Sequence, residues 1–207
     1  VHQLRTLLGS PTKQLTIISS YFVPTKDGVN TLVKLAESGI DIKILTNSFD
    51  ATDVTAVHSG YIQWRPVLLK AGVRIYELKS TASEEKRENK LWKARSQSST
   101  SLHAKTFAVD DYQVFIGSYN VDPRSANINT EMGVIINDEE LAKQLHSALS
   151  DELLGQAYEV KLLENGSLQW HTVEAGEKVV YDSGPRVDIS DHVWLSIMSW
   201  LPIDWLL

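Results

Sequence analysis

Apolar residues in the first eighty positions form short β-branched runs that alternate with stretches of helical spacing. The strands predicted from these runs are residues 15–21, 40–45 and 73–78, and the helices predicted from the spacing are 27–38 and 59–71. Strands that alternate with helices through short connections are typical of a layered α/β sheet. Ligands of such sheets bind beyond the carboxyl ends of the strands, which places the loops at Tyr21 and Asn47 on the candidate active face.

The next part of the chain predicts three further strands and a helix. Their predicted bounds are 102–109, 114–119 and 132–136 for the strands and 138–149 for the helix. A two-residue turn at 111–112 would make the first two strands a hairpin. In that register His103 lies opposite Asn120, and Lys105 lies opposite Ser118.

The C-terminal part has a different pattern, which predicts a boundary near residue 156. Residues 158–163 and 168–173 flank an Asn-Gly pair and predict a hairpin. From Val193 the chain is apolar with interleaved tryptophans, and it is too short and too interrupted to span a bilayer. This tail either packs on the domain as a terminal helix or lies in a membrane interface. We therefore expect one domain over 1–156, followed by a hairpin and an apolar tail over 157–207.

Composition narrows the classes of function. A formal net charge of -6 argues against a protein that coats nucleic acid through bulk electrostatics. The chain has no cysteine, which excludes disulfides, thiolate metal sites and cysteine nucleophiles. Residues 81–100 carry basic and acidic side chains and are either a solvated surface segment or a basic lip for an anionic substrate. A start without Met or a signal peptide suggests a piece of a longer protein.

Candidate chemistry is concentrated between residues 101 and 131. A lysine ammonium and an asparagine amide, here Lys105 and Asn120, can bind the non-bridging oxygens of a phosphodiester. A histidine such as His103 can attack phosphorus or protonate a leaving alkoxide. Glu131, on the adjacent predicted strand, is the candidate partner that orients this histidine. Asp110 has the opposite strand parity, and we interpret it as a turn residue that does not touch substrate.

Each of these residues alone has an ordinary structural explanation. A single histidine in a strand is more often a satisfied core residue, and a single lysine is usually a surface group. The joint spacing is far less frequent by chance, because it fixes six positions at once. They are His103, Lys105, Asp110, Gly117, Ser118 and Asn120.

The pattern H-x-K-x4-D-x6-G-S-x-N resembles the signature of the phospholipase D superfamily. The stretches TIISSYFVP, TNSFDATDVTAVHSGY and DPRSANINTE resemble bacterial cardiolipin synthases, and more narrowly the second half of the C-type enzymes. The resemblance covers nearly the whole chain. It implies a phospholipase D-like mixed α/β sheet flanked by helices, followed here by the C-terminal hairpin and apolar tail.

The resemblance also implies a chemistry and a set of partners. A phosphatidyl group would pass between phospholipids through a phosphohistidine, without metal or cofactor. Phosphatidylglycerol would react with phosphatidylethanolamine or with a second phosphatidylglycerol, at the periphery of a bacterial cell membrane. His103, Lys105 and Asp110 would be the catalytic motif, with His103 as the acid and base. Lys105, Asn120 and Ser118 would bind the phosphate, and Glu131 would orient His103.

The chain departs from the family in carrying one copy of a motif that occurs in pairs. Either an N-terminal half with the first motif is missing, or two copies of the chain meet in a homodimer. In the first case the isolated piece would be nearly inactive. The alternative functions are a homodimeric phosphodiesterase or nuclease of the same superfamily, which the acidic balance disfavours, and a non-enzymatic membrane module.

Other candidates are weaker. Asn47 and His58 are candidate channel residues, with loop ordering an equal alternative. Tyr21 could touch a headgroup, although core packing is the more frequent role of such an aromatic residue. The sequence has no phosphate-cradling glycine loop, zinc motif or calcium loop, so nothing in it predicts a nucleotide or a metal.

Overall fold

A computed structural model describes residues 9–52, 55–80 and 102–185. Their strands form one nine-stranded mixed sheet with the order β6-β5-β4-β1-β2-β3-β7-β8-β9. The strands are β1 Gln14–Ser19, β2 Asp41–Asn47, β3 Arg74–Leu78, β4 Lys105–Val109, β5 Gln113–Gly117, β6 Gly133–Asn137, β7 Ala157–Leu162, β8 Leu168–Glu174 and β9 Glu177–Tyr181. β1, β2 and β3 are parallel to one another, and the other pairings are antiparallel. The predicted layered α/β sheet is confirmed.

Helices cover both faces of the sheet. They are α1 Lys26–Glu37, α2 Thr55–Ile62, α3 Arg65–Lys70, α4 Pro123–Asn127 and α5 Glu139–Ala148, with short 3₁₀ turns at Phe49–Ala51 and Asp151–Gly155. Thr25 caps the start of α1, because its hydroxyl oxygen accepts a 3.2 Å hydrogen bond from the Gly28 N–H. Asp138 caps the start of α5, because its carboxylate accepts a 2.9 Å hydrogen bond from the Leu141 N–H.

One row of apolar side chains crosses the whole sheet at the same level. From β6 to β9 its members are Ile135, Phe115, Phe107, Ile17, Ile44, Ile75, Val160, Trp170 and Tyr181. Side chains on one face of a sheet recur every second residue, so this row and its neighbours form a continuous apolar layer. α1, α2 and α3 close it with Val29, Leu32, Tyr61 and Leu68.

The opposite face carries a second layer beneath α5. Ala108 and Val114 pack against Ala142, while Leu45 and Tyr76 pack with Leu149. His146 of α5 is buried in this layer, with Nδ1 2.7 Å from the Thr16 hydroxyl and Nε2 2.8 Å from the Asp110 carbonyl oxygen. The protein therefore has three layers, with the sheet between two layers of helices. The carboxyl ends of β1, β2 and β3 lie at one edge of this sheet.

The predicted helix over 59–71 is wrong as one element. The structure has two helices, α2 and α3, separated at Gln63 and Trp64. Pro66 explains the break, because proline lacks an N–H and its ring clashes with the carbonyl four residues earlier. It is tolerated in the first turn of α3.

The predicted hairpin register is also wrong by one residue. Val109 pairs with Gln113 and Phe107 with Phe115, so three residues form the turn. Asp110 adopts the left-handed conformation with φ 50°, and its N–H donates a 2.9 Å hydrogen bond to the Gln14 carbonyl oxygen. If the register of β4 and β5 is continued past the last pair, Thr106 with Ile116, Lys105 lies opposite Gly117. The predicted Lys105–Ser118 and His103–Asn120 pairs therefore do not form.

The strands after residue 156 extend the same sheet. β7 pairs with β3, and β8 pairs with β7 across the predicted turn at Asn165 and Gly166. Trp170 of β8 is buried in the layer that contains Ile75. β9 was not predicted from the sequence; its two-residue connection, Ala175-Gly176, has positive φ at both positions. The tail from Val193 lies outside the described residues.

Candidate active site

Polar side chains replace the apolar row at the carboxyl ends of the parallel strands. Two residues further along the strands, Ser19 pairs with Lys105, and Thr46 pairs with Glu77. Ser19, Thr46 and Glu77 are almost completely buried. Buried polar groups need hydrogen-bond partners, and their contacts divide this edge into two clusters. The Ser20 cluster consists of Ser20, Lys105, Asn120 and Asn47, and the Glu77 cluster consists of Glu77, Arg65, His58, Tyr61 and Trp170.

Ser20 is the centre of the first cluster. Its Oγ accepts a 2.8 Å hydrogen bond from Lys105 Nζ and donates one of 3.0 Å to Asn120 Oδ1. The structure therefore brings together two residues that the sequence predicted as phosphate binders. Lys105 and Asn120 meet through Ser20, the residue that follows β1, and do not form a cross-strand pair. Ser20 itself was missed by the sequence reasoning, and the only signal for it was a Ser-Ser pair at a strand end.

Lys105 begins β4 and is half-buried. Its ammonium donates to Ser20 Oγ and, at 3.1 Å, to the His103 carbonyl oxygen. An ammonium has three N–H donors, so one has no partner among the described residues. Burial lowers the pKa of Lys105 below its ordinary value, against the opposing charges of Glu131 and Asp122. A partly desolvated cation with a remaining donor favours an anionic ligand.

Asn120 lies in the loop between β5 and α4. Its N–H is 3.3 Å from Ser125 Oγ, and Ser125 in turn donates its N–H to Asp122 at 2.7 Å, which caps α4. The Asn120 amide nitrogen has no hydrogen-bond partner in the part of the chain that the structure describes. The loop thus holds the Asn120 amide beside Ser20, and both N–H donors of this amide remain available.

The glycine before this loop permits a close approach of β5 to β6. A Cβ on Gly117 would lie 2.3 Å from the Met132 carbonyl oxygen and 2.7 Å from the Phe115 ring. Gly133, its cross-strand neighbour, would meet the same ring at 2.3 Å. Phe115 therefore covers a Gly–Gly pair, which explains why the Gly-Ser-x-Asn motif requires its glycine.

His103 precedes β4 and its side chain is exposed. Asn47 anchors the segment that carries it: the Leu102 N–H donates to Asn47 Oδ1 at 2.8 Å. The Asn47 amide donates to the carbonyl oxygens of Leu102 and Ser20, both at 3.2 Å. Asn47 was predicted as a channel residue, and in the structure its side chain is buried and bonded to backbone on both sides. An exposed imidazole on an anchored segment is accessible to a substrate.

Ser118 and Glu131 contact each other beside β5 and β6. The Ser118 hydroxyl donates to Glu131 Oε2 and accepts a 3.0 Å hydrogen bond from the Met132 N–H. Partial burial raises the pKa of Glu131, but hydrogen bonds from Ser118, Ser125 and Asn129 outweigh it, so this pKa lies below its ordinary value. The carboxylate is therefore ionised near neutrality. Within the described ranges no hydrogen bond joins Glu131 to His103.

Asp110 lies at the opposite end of β4 from Lys105, roughly 16 Å away at the usual rise of a strand. Its carboxylate accepts hydrogen bonds from the N–H groups of Thr12 and Lys13 at 2.9 and 2.8 Å, and one of 2.8 Å from the Thr12 hydroxyl. These contacts tie the chain entering β1 to the β4–β5 turn. They lower the pKa of Asp110 below its ordinary value, although partial burial acts against them.

The Glu77 cluster is enclosed. Arg65 Nη2 lies 2.6 Å from His58 Nε2, and Tyr61 Oη donates to Glu77 Oε1 at 3.0 Å. Trp170 Nε1 donates to the second carboxylate oxygen at 2.9 Å. Arg65 Nε is 3.0 Å from Glu77 Oε1, within ion-pair distance although its N–H is not directed at that oxygen. Helices α2 and α3 are thereby joined to β3 and β8.

His58 was predicted as a candidate channel residue, and the structure buries it in the Glu77 cluster. A guanidinium can only donate, so Nε2 accepts and the ring is neutral, with its proton on Nδ1. Burial, and then the charge of Arg65, hold the pKa of His58 well below its ordinary range. Tyr21 is half-buried, and its carbonyl oxygen accepts a 2.6 Å hydrogen bond from Ser19.

Three other sequence expectations concern metals, membranes and the basic insertion. The described residues contain no group of three or more histidines or carboxylates that could hold a metal ion. None of the helices described here is long and apolar enough to cross a membrane. The basic insertion at 81–100 lies outside the described residues.

Comparisons with known proteins show the family to which the chain belongs. The family described as "Cardiolipin synthase, PLD-like domain" matches residues 4–152, which is more than half of the chain. Cardiolipin synthase C of Escherichia coli (strain K12) is 40% identical over 205 residues, which are 99% of this chain and 43% of that protein. The chain thus spans less than half the length of this relative.

Two solved structures share the fold. Nuc, a phospholipase D family member from Salmonella typhimurium, superposes with a TM-score of 0.55 at 18% identity, covering 77% of this chain and 90% of that one. Phosphatidylserine synthase of Haemophilus influenzae Rd KW20 gives 0.53 at 15% identity, covering 75% and 35%. The sequence match and the shared fold lead to one conclusion: the chain belongs to the phospholipase D-like domain family of the cardiolipin synthases.

Proposed function

We propose that this chain supplies one half of the active site of a phosphatidyltransferase that joins two phospholipids into a cardiolipin-type product. The observation that carries the proposal is the Ser20 cluster. Lys105 and Asn120 converge there with donors remaining, beside the exposed His103. Such donors match the non-bridging oxygens of a phosphodiester and stabilise the charge that develops on them during transfer.

The reaction has two steps. A histidine of the other half attacks phosphorus, so that a P–N bond forms and the P–O bond to the leaving alcohol breaks. His103 gives its proton to that alkoxide. In the second step His103 removes the proton from the hydroxyl of the acceptor lipid, whose oxygen attacks phosphorus and displaces the first histidine. In each step one bond to phosphorus forms while another breaks, and one proton moves between His103 and an alcohol oxygen. No additional reactant is needed.

The remaining residues have supporting roles in this proposal. Lys105 and Asn120 hold the phosphoryl oxygens in both steps. Ser118 lies at the same edge and holds Glu131. For Glu131 to orient His103, its carboxylate must accept a hydrogen bond from the imidazole when the site is assembled, and its several acceptor positions allow this while the Ser118 hydrogen bond is kept. Asp110 positions the start of β1 and does not contact substrate.

The partner is a second phospholipase D-like half that carries the other histidine. Cardiolipin synthase C of Escherichia coli is more than twice as long as the segment matched here, so we propose that this half precedes residue 1 in the same protein. A second copy of the chain is the alternative source. The substrates we propose are phosphatidylglycerol with phosphatidylethanolamine or a second phosphatidylglycerol, used at the surface of a bacterial membrane.

The test uses the full-length protein that contains this chain. It is incubated with phosphatidylglycerol vesicles, with and without phosphatidylethanolamine, and the lipids are analysed by mass spectrometry. We expect cardiolipin and free glycerol, or ethanolamine from the mixed vesicles. Release of phosphatidic acid alone would indicate a hydrolase, and cleavage of DNA without any lipid product would overturn the proposal in favour of a nuclease.

A further inference from the structure

Ser20 has a single hydroxyl that is shared between two side chains of the site. It is 3% exposed, and its backbone is held on both sides. Its N–H donates to the Ala104 carbonyl oxygen at 3.2 Å, and its own carbonyl oxygen accepts from Asn47 at the same distance. The Oγ therefore has little freedom to move, and it holds Lys105 and Asn120 at fixed positions relative to each other.

The direction of these hydrogen bonds determines which way the Asn120 amide faces. A serine hydroxyl has one hydrogen, and a lysine ammonium can only donate. Lys105 donates to Ser20 Oγ, and the hydroxyl hydrogen of Ser20 is directed to Asn120 Oδ1. With its oxygen bonded to Ser20, the amide must present its two N–H donors away from Ser20. A flipped amide would bring a donor toward the Lys105 cation and an acceptor toward an anionic substrate.

Ser20 also constrains the ammonium. Two of the three Lys105 donors go to Ser20 and to the His103 carbonyl oxygen. These two bonds fix the rotation of the ammonium group, and so they fix the direction of the third N–H. The same contact places the backbone of His103 against Lys105. One buried hydroxyl thus sets the geometry of both predicted phosphate binders.

We propose that Ser20 is a positioning residue that joins Lys105 and Asn120 into one preoriented phosphate-binding unit. This inference rests on the proposed function for the assignment of Lys105 and Asn120. Ser20 does not touch the substrate. It acts by fixing the Asn120 amide with its donors outward and by aiming the free donor of Lys105.

The test uses the full-length protein with Ser20→Ala, Ser20→Thr, Asn120→Ala and the double variant Ser20→Ala/Asn120→Ala. Binding of inorganic phosphate is followed by ³¹P line broadening, and kcat and KM are measured with phosphatidylglycerol vesicles. Ser59→Ala is the matched control, because Ser59 is a fully buried serine of α2 that is not one of the site residues. Thermal unfolding of every variant shows whether the fold is retained.

We expect Ser20→Ala to weaken phosphate binding and to lower kcat/KM by roughly 10- to 100-fold, as for a lost and misdirected pair of hydrogen bonds. Ser20→Thr keeps the hydroxyl and should recover most of this loss. In the Asn120→Ala background Ser20→Ala should cost much less, since the amide that it orients is absent. Ser59→Ala should leave both measurements within about twofold of wild type.

Two results would overturn the inference. One is a Ser20→Ala variant that binds phosphate and turns over lipid like Ser59→Ala. The other is strict additivity of the Ser20 and Asn120 losses, which would mean that the two residues act separately. A wild-type protein that binds phosphate but forms no lipid product contradicts the proposed function alone, because the Ser20 effect on phosphate binding is measured independently.

Discussion

The Ser20 cluster and the Glu77 cluster lie along the same edge of one sheet but differ in how exposed their polar groups are. In the Glu77 cluster each oxygen of Glu77 meets a donor, and the aromatic rings of Tyr61 and Trp170 lie 4.7 and 5.5 Å from the Arg65 guanidinium carbon. In the Ser20 cluster Lys105 and Asn120 keep donors without partners in the described chain. The Arg65 Nε–H of the Glu77 cluster also lacks a hydrogen bond, but it is buried within ion-pair distance of Glu77, whereas Lys105 and Asn120 are partly exposed.

The comparison shows that burial and charge alone do not identify a reactive site. His58 has the strongly perturbed pKa that often accompanies catalysis, yet it is enclosed by Arg65 and the rings of Phe49 and Tyr61. Its contacts join two helices to the sheet. His103 is exposed beside unpaired donors. The Ser20 cluster is therefore suited to bind an anion, and the Glu77 cluster stabilises the fold.

The largest expected effect is on stability, from Glu77→Gln. This change leaves Arg65 buried beside a neutral amide, and breaking a buried ion pair costs roughly 3–5 kcal/mol. Urea unfolding followed by circular dichroism measures it. Glu139→Gln is the control, because Glu139 pairs with Lys143 on the surface of α5 and both side chains are exposed, so this variant should lose far less stability. Equal losses in the two variants would contradict a closed, stabilising Glu77 cluster.

The next effect is on turnover, from Lys105→Met. Removing one donor to a developing oxyanion lowers kcat by roughly 100- to 1,000-fold, and the fold should be retained because Lys105 is only half-buried. The rate of lipid product formation from phosphatidylglycerol vesicles measures it. Lys143→Met, on the exposed face of α5, is the control and should have the wild-type rate. A similar rate in both variants would remove Lys105 from the site.

Asp110→Ala separates a positioning role from a chemical one. The variant loses the hydrogen bonds to Thr12 and Lys13, and we expect about 2 kcal/mol of stability to be lost, with kcat within a few-fold of wild type. Asp111→Ala, which removes an exposed ion pair with Lys13, should cost much less stability than Asp110→Ala. If Asp110→Ala instead lost activity at unchanged stability, the motif aspartate would belong to the chemistry.

The smallest effect is a pH dependence of stability that arises from His58. Its folded pKa is depressed, so the unfolded chain binds the proton more readily once the pH falls below the ordinary value of 6.5. The free energy of unfolding should decrease below that pH, by at most about 1.4 kcal/mol per pH unit from this group. His58→Gln should flatten the curve between pH 6.5 and 5. His171→Gln, whose ring is less buried, should flatten it less, and an unchanged slope in His58→Gln would refute the assignment.

Much of the fold could be predicted from the sequence, and the sequence also supplies the candidate site residues. The alternation of β-branched runs with helical spacing indicates the sheet, and the motif spacing selects His103, Lys105 and Asn120. The hairpin register could not be predicted, because it depends on Asp110 adopting φ 50° while it binds a segment about a hundred residues away. The break at Pro66 could have been predicted from the sequence, because proline is unfavourable in the interior of a helix.

The contacts that create the site were less accessible to sequence reasoning. Ser20 has no distinguishing spacing, and its role depends on β1 lying beside β4. The pairing of His58 with Arg65 follows from the turn between α2 and α3, whereas the approach of Trp170 requires β7 and β8 to join the sheet after residue 156. Such contacts arise from topology, which periodicity does not specify.

The most direct test of the central claim compares two histidines in the full-length protein. His103→Asn and His58→Asn are assayed for cardiolipin formation from phosphatidylglycerol vesicles, at a temperature where both variants remain folded. We predict that His103→Asn lowers the rate roughly 1,000-fold, as for a lost acid and base, while folded His58→Asn stays within about tenfold of wild type. A His103→Asn variant that forms cardiolipin at the wild-type rate, or a folded His58→Asn variant that forms none, would contradict the account.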